Sequence, residues 1–337
     1  MPLVLISSDR YAEHQTPPGH PESPERADVM ASVAEAWQAA GGEVVAPREA
    51  TREQLARVHD ADYLRRVSET RGRATALDPD TFTSPESYDV ALLAAGAAVD
   101  GVERVMAGPA TQALALVRPP GHHAERARAM GFCLFNNVAV AAAHARHLGA
   151  QRVAIVDFDV HHGNGTQHIF ETDPSVLYVS MHQSPFYPGT GAADEVGRDA
   201  GKGFTVNIPM EAGAVDADYQ VVFEQVVVPV VTRFKPELLL VSAGFDAHAS
   251  DPLAGMRLTT RAFGAMTGEL RRVAEACCDG RIVLVVEGGY NLQALRASLD
   301  ACIAALESTG IPEWPAGPGA SHQRQRARQL GRDPDTV

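Results

Sequence analysis

Apolar runs and helix-spaced apolar positions alternate along nearly the whole chain. Stretches rich in Val, Ile and Leu predict strands at "LVLIS" (3–7), "ALALV" (113–117), "VAIVDF" (153–158), "VLYVS" (176–180), "FTVNIP" (204–209), "ELLLVSA" (237–243) and "IVLVVEG" (282–288). Between them the pattern predicts helices over 24–39, 86–107, 136–148, 216–233, 260–278 and 291–307. Several strands are continuously apolar, as strands covered on both faces are. Their alternation with helices predicts an α/β fold, a central and mostly parallel sheet flanked by helices. No linker and no internal repeat divides the chain, so one domain is expected over residues 1–311. The Pro-, Gly- and Arg-rich stretch 312–337 reads as an appended tail.

The polar residues that break this pattern gather in four loops. "VRPPGHHAERARAMGFCLFNN", "DFDVHHGNGTQ", "SAGFDAHASDPLAG" and "EGGYNL" each follow a predicted strand, where open α/β sheets place their ligands. Four such clusters on one sheet edge point to a single pocket.

Composition narrows what that pocket serves. The formal charge is −13 and no basic run precedes the tail, which excludes a phosphate-neutralising, nucleic-acid-binding surface. An acidic surface suits a cationic substrate. The four cysteines, Cys133, Cys277, Cys278 and Cys302, have no CxxC spacing and read as reduced thiols. The N-terminus lacks the cationic start and apolar run of a signal peptide, and no stretch reaches the roughly 18 apolar residues of a membrane span. A soluble, cytoplasmic protein with no membrane partner is expected.

Asp157, Asp159 and His161 have period-two spacing and share a face if the strand stays extended. Taken alone, such a triplet reads equally well as an acidic strand end that caps a neighbouring helix. Asp246, from a separate strand end, adds a carboxylate. Two carboxylates and one imidazole would fill three positions around a divalent cation and leave a fourth open to water. Asp157 is then better placed to orient a neighbour than to act as a ligand. The tandem His122 and His123 follow a Pro-Gly turn that lets backbone approach a ligand closely, and one imidazole can serve as base and then acid. Tyr290 follows two glycines; a plain turn residue is one reading, a hydroxyl donating to a developing oxyanion the other. Phe132 and Tyr187 read either as core packing or as walls of a narrow apolar channel. Cys133 has no activating partner in the sequence and reads as a buried thiol. The chain carries no phosphate loop, dinucleotide fingerprint or nucleophile elbow. The residues alone therefore indicate a metal-dependent hydrolase with a histidine base and a tyrosine donor, its substrate unspecified.

From "HPESPERADVM" (20–30) to "EGGYNL" (287–292) the chain resembles the zinc-dependent histone deacetylase superfamily, which includes bacterial acetylpolyamine amidohydrolases. "DFDVHHGNGTQ" and "GFCLFNN" resemble its class II branch. The resemblance implies a single-domain arginase–deacetylase fold, with Asp159, His161 and Asp246 as ligands of one catalytic Zn²⁺. It implies His123 as general base and acid, His122 as its electrostatic neighbour, and Asp157 as the carboxylate orienting His122. Asn164 stands beside His123 where class I members have aspartate, and Tyr290 polarises the substrate carbonyl. Gly131, Phe132 and Tyr187 would line the substrate tunnel, and Arg26 the inner exit cavity. Structural K⁺ would sit near Asp157, Asp159, His161, Ser180 and Met181, with a second ion near Phe170, Asp173 and Val176. Leu253 falls where the polyamine-selective branch places a glutamate gatekeeper, and Asp80, before "TSP", would accept a hydrogen bond from the substrate backbone or a distal amine. The implied substrate is an acylated lysine peptide or similar acylated amine, and a homo-oligomer is compatible with it. Three alternatives stand beside this: a polyamine or other small-amide deacetylase, a catalytically silent acyl-lysine binding module, and a two-metal ureohydrolase.

Overall fold

A computed structural model of the protein describes residues 2–108, 111–310 and 313–315. In chain order its elements are β1 (Leu3–Ile6), α1 (Glu25–Ala39), β2 (Glu43–Val45), α2 (Arg52–Ala56), α3 (Ala61–Ser68), β3 (Thr75–Asp78), β4 (Thr81–Thr83) and α4 (Ser87–Ala107). They continue with β5 (Gln112–Ala115), α5 (Asn137–His147), β6 (Val153–Asp157), α6 (Asn164–Phe170), β7 (Val176–Gln183) and β8 (Thr205–Met210). The last are α7 (Asp216–Val222), α8 (Val228–Phe234), β9 (Leu238–Ala243), α9 (Thr260–Cys277), β10 (Ile282–Val286) and α10 (Leu292–Glu307).

Among the described residues one eight-stranded sheet runs β2-β1-β5-β10-β9-β6-β7-β8, every pairing in it parallel. Successive side chains of a strand enter opposite layers. Leu3 and Leu5 join a cluster containing Met30 of α1, Phe263 of α9 and Leu299 of α10. Val4 and Ile6 join one containing Leu64 of α3, Val99 of α4 and Val138 of α5. Both faces are thus covered, and the continuously apolar strands have this cause.

The strands after which the four polar loops emerge are β5, β6, β9 and β10, and they are neighbours at the centre of the sheet, in the order β5-β10-β9-β6. The chain passes from β5 to β6 leaving a gap of two strands, fills β7 and β8 outward, then returns to insert β9 and β10. That reversal brings loops far apart in sequence to one crevice.

Several elements differ from the sequence pattern. The short β2, at the sheet edge, and the partly exposed hairpin β3–β4 carry too few apolar residues to be read as strands. The short α2 and α3 were not expected either, and α6 begins within "HHGNG", whose glycines read as loop. β7 runs past the expected 180 to Gln183 because its ladder with β8 continues to Gln183↔Met210. The expected helix 216–233 is interrupted by a wide π turn, Phe223–Val227, just before Pro229, which has no N–H to donate to the regular ladder. Of the expected tail, only residues 313–315 are among those described; Trp314 packs on Phe223 with ring centroids 5.7 Å apart. All four cysteines are free, and no helix among the described residues is long and apolar enough to cross a membrane.

Candidate active site

β6 lies between β7 and β9 and ends at Asp157, level with Ser180 and Ser242. Beyond it the chain does not stay extended, so period two is not what gathers the acidic residues. Two Asx turns do so instead: Asp157 Oδ1 accepts from the Asp159 N–H (3.2 Å) and Asp159 Oδ1 from the His161 N–H (2.9 Å). Asp246, after β9, accepts from the Val160 N–H through Oδ1 (2.9 Å). His161 Nδ1 then lies 3.1 Å from both Asp159 Oδ1 and Asp246 Oδ2. Ligand atoms of these three residues lie within 4.8 Å of one another and all three residues are buried. Among the described residues no second His/Cys/Asp/Glu group of this kind occurs.

The donor set fits a divalent cation. Burial and the neighbouring Asp159 push the Asp246 carboxyl up to about 7. Burial would lower His161, but its hydrogen bonds to Asp159 and Asp246 outweigh that and hold it up to about 10. Two buried carboxylates thus call for positive charge at their centre. The backbone leaves them room: a Cβ at Gly244 would stand 2.0 Å from Asp159 Oδ2, and one at Gly288 2.2 Å from Asp246 Oδ2.

Asp157 turns away from this group. Its Oδ2 lies 3.0 Å from His122 Nδ1 and accepts from the Tyr178 hydroxyl at 3.0 Å. The tandem-histidine loop is held from below by Glu287, whose Oε2 accepts from the Gly121 N–H (2.6 Å) and His122 N–H (3.1 Å). The two imidazoles are 4.1 Å apart centre to centre, yet their surroundings separate them electrostatically. Burial alone would lower His122, but Asp157 and Asp159 outweigh it and raise it to about 10. Burial, then His122 and His161, hold His123 well below the usual histidine range. One imidazole is charged and its neighbour neutral, the division that assigns acid and base roles in paired groups. His123 Nδ1 pairs with Asn164 Oδ1 at 2.7 Å, leaving Nε2 free.

Tyr290 caps the opposite side. Its backbone N–H donates to Asp251 Oδ2 (2.7 Å), and Arg26 donates to the carbonyls of Glu287 (2.6 Å) and Gly289 (2.7 Å). The Arg26 guanidinium lies 5.2 Å from the centre of the Tyr290 ring. Burial, then Asp246, drive the Tyr290 hydroxyl well above its ordinary range, so it is a donor. Asn291 caps α10 by accepting from the Ala294 N–H (2.9 Å), which fixes the chain just past the tyrosine.

A cavity of about 180 Å³ connects these parts. His122, His123, His161 and Tyr290 line it together with Pro120, Gly288, Asp80, Gly131, Phe132, Tyr187 and Leu253. Gly131 and Phe132 both have positive φ, +57° and +69°, and a Cβ at Gly131 would stand 2.4 Å from His123 Cδ2, so glycine is required there. Asp80 Oδ1 accepts from the Gly131 N–H (3.1 Å), tying the β3–β4 hairpin to this wall. Tyr187 meets the His123 ring edge-on at 5.1 Å, and Phe186 stacks on His161 at 5.2 Å.

Asp157, Asn164 and Arg26 do not line the cavity; each stands behind a residue that does. Ser180 and Met181 are buried on β7, where Ser180 Oγ lies 2.9 Å from His182 Nδ1. Phe170, Asp173 and Val176 form the turn between α6 and β7, with the Asp173 N–H on the Phe170 carbonyl and the Val176 N–H on that of Asp173. Glu287, Asp251 and Phe186 were not singled out from the sequence. Glu287 and Asp251 lie inside two of the four loops, which was the available signal.

Fold and site together define the arginase–deacetylase class of α/β protein. A family model described as "Histone deacetylase domain" matches residues 20–306. The chain belongs to the histone deacetylase family. It is similar to "Histone deacetylase-like amidohydrolase" of Pseudomonas aeruginosa, 44% identical over 280 residues, covering 81% of this chain and 73% of that one. It is similar to "Polyamine deacetylase HDAC10" of Homo sapiens, 43% identical over 295 residues, covering 82% of this chain and 43% of that one. The solved HDA15 HD domain superposes with a TM-score of 0.85 at 40% identity, covering 90% of this chain and 89% of that one. The chain spans about half the length of several relatives it matches, 52% of "Histone deacetylase 15" of Arabidopsis thaliana among them.

Proposed function

We propose that the protein is a zinc-dependent deacetylase that removes acetyl groups from acylated lysine side chains. The observation that carries this reading is that the Asp159–His161–Asp246 group, the free Nε2 of a neutral His123 and Tyr290 all belong to one narrow cavity. Asp159, His161 and Asp246 would hold the ion. Bound there, Zn²⁺ supplies Lewis-acid polarisation of the amide carbonyl and acidifies the attacking water.

The chain's own residues carry the remaining work. Phe132 and Tyr187 flank the aliphatic chain of the substrate and keep water from the inner end. His123 Nε2 takes a proton from the attacking water, with Nδ1–H held on Asn164. The Tyr290 hydroxyl donates to the oxygen on which charge develops, and the His122 imidazolium, held by Asp157, adds a fixed positive charge beside it. His123 then returns its proton to the departing amine. Structural K⁺ at the β6 and α6–β7 backbone turns belongs to the same reading.

The similarity to a polyamine deacetylase makes acetylated polyamines the second substrate class. Against it, Leu253 in the cavity lining is apolar where the polyamine-selective branch places a glutamate, and Asp80 is the carboxylate that shares this lining. Turnover of a fluorogenic acetyl-lysine peptide beside N-acetylputrescine and acetylspermidine, with and without a zinc chelator, separates the readings. Peptide cleavage abolished by chelation is expected. Cleavage of the polyamines alone would transfer the assignment to them, and binding of acetyl-lysine without turnover would make the protein a silent binding module.

A further inference from the structure

In the proposed reaction the base His123 is held through Asn164, and the surroundings of Asn164 show what in turn holds it. The amide oxygen faces His123 Nδ1 at 2.7 Å. The amide nitrogen has three acceptors around it: Glu125 Oε1 at 2.5 Å, Met130 Sδ at 3.4 Å and the His123 backbone oxygen at 3.5 Å. Only the Glu125 carboxylate among these is both charged and within full hydrogen-bonding distance. Glu125 is itself pinned from the solvent side by His168, whose Nδ1 lies 2.8 and 3.0 Å from its two oxygens.

An asparagine amide turns over with almost no change of shape, so its neighbours decide which end faces the base. Turned over, Asn164 would aim its oxygen at the Glu125 carboxylate and its N–H at His123 Nδ1. His123 would then have to accept at Nδ1 and carry its proton on Nε2, the atom needed as base. A carboxylate at position 164 would accept the Nδ1–H with either oxygen and would need no such lock.

We propose that Glu125 is a positioning residue that, by fixing the amide orientation of Asn164, locks His123 in the Nδ1–H tautomer. The proposal rests on the reading of His123 as the base. It accounts for a partly buried carboxylate directed at an amide and not at a cation of the cavity.

The test uses the zinc-loaded full chain labelled with ¹⁵N-histidine. Two-bond ¹H–¹⁵N correlations report each imidazole tautomer, and His123 is assigned by the signals lost in His123→Ala. The native protein is expected to show Nδ1–H. Glu125→Ala is expected to populate Nε2–H and to lower kcat about 10- to 100-fold, short of the roughly 10⁴ that a fully wrong tautomer costs a serine protease. KM should stay within about twofold, since substrate contacts are untouched. Adding Asn164→Asp to Glu125→Ala should restore Nδ1–H and most of kcat, which a merely structural defect would not allow. If Glu125→Ala fails to fold, Glu125→Met fills the same space without an acceptor oxygen and is expected to show the same switch. Persistence of Nδ1–H without Glu125 overturns the proposal, as does a switch with unchanged turnover or a loss that the second substitution does not rescue. Should the native protein turn over none of the acetylated substrates, the deacetylase reading falls, and the tautomer comparison alone decides the lock.

Discussion

At the scale of single residues, the cavity works by placing uncharged donors and acceptors against a strongly charged floor. Tyr290 shows this: with burial and Asp246 keeping its proton on, it donates throughout the working pH range. Tyr290→Phe is expected to lower kcat by about 10²–10³ with little change in KM, the usual cost of an oxyanion donor. Steady-state kinetics on the acetyl-lysine peptide would check it, and unchanged kcat would remove Tyr290 from the reaction. The floor depends equally on residues with no side chain. The Asp159 carboxylate cannot retreat from a methyl at position 244, because its oxygens accept from the N–H groups of His161 and Gly288, both at 2.9 Å. Gly244→Ala should therefore weaken zinc binding by about 10- to 100-fold, the range seen when groups supporting a ligand are disturbed. Competition with a chromophoric chelator measures this without any substrate. Retained affinity would argue that Asp159 is not a ligand.

At the scale of elements, carboxylates that accept backbone N–H groups clamp the loops around the cavity, often across to another loop. Glu287 follows β10 and holds Gly121 and His122, a separation of 166 residues. Asp251 bridges the Leu253 and Tyr290 loops, with Oδ1 on the Leu253 N–H (3.0 Å) and Oδ2 on the Tyr290 N–H (2.7 Å). Both Asp251 oxygens are acceptors, so an amide cannot replace them without turning a donor toward an N–H. Asp251→Asn is expected to cost about 1–3 kcal/mol of stability, the penalty of an unsatisfied buried group. It should also lower kcat several-fold more than it changes KM. Thermal melts and kinetics together would show it, and a native kcat would mean that Tyr290 needs no clamp from this side. These clamps were hidden in the sequence for a physical reason. The strand ends and their His, Asp and Tyr residues are local patterns, legible because a continuously apolar run followed by charge is rare. Glu287, Asp251 and Glu125 acquire their roles from amides and side chains that only the crossing order of the sheet brings near. The β3–β4 hairpin that supports Gly131 leaves no readable pattern because its strands are short and partly polar.

At the scale of the whole molecule, the reversal of strand order fixes where the four polar loops meet, and the same crevice ties the outer helices to those loops. His59, just after α2, is the clearest such tie. Its Nε2 accepts from the Asn136 N–H (3.0 Å) at the head of α5, so the proton sits on Nδ1, 3.0 Å from the Glu125 carbonyl. Protonating Nε2 would set a donor against the Asn136 N–H, and burial, the main cause, lowers the group to about 4. In the unfolded chain it titrates near 6.5. Between these values the unfolded state binds the extra proton, so the His59 contribution to stability is intact above about pH 6.5 and is lost progressively as pH falls toward 4. From pH 6.5, where the unfolded imidazole is already half protonated, to pH 5 the loss integrates to about 1.5 kcal/mol. His59→Gln presents an oxygen to the Asn136 N–H and does not titrate. Urea unfolding at the two pH values should therefore show the native protein losing about 1.5 kcal/mol more than this variant. Parallel losses in both would mean that acid sensitivity originates in other buried groups, and that the α2–α5 contact withstands protonation.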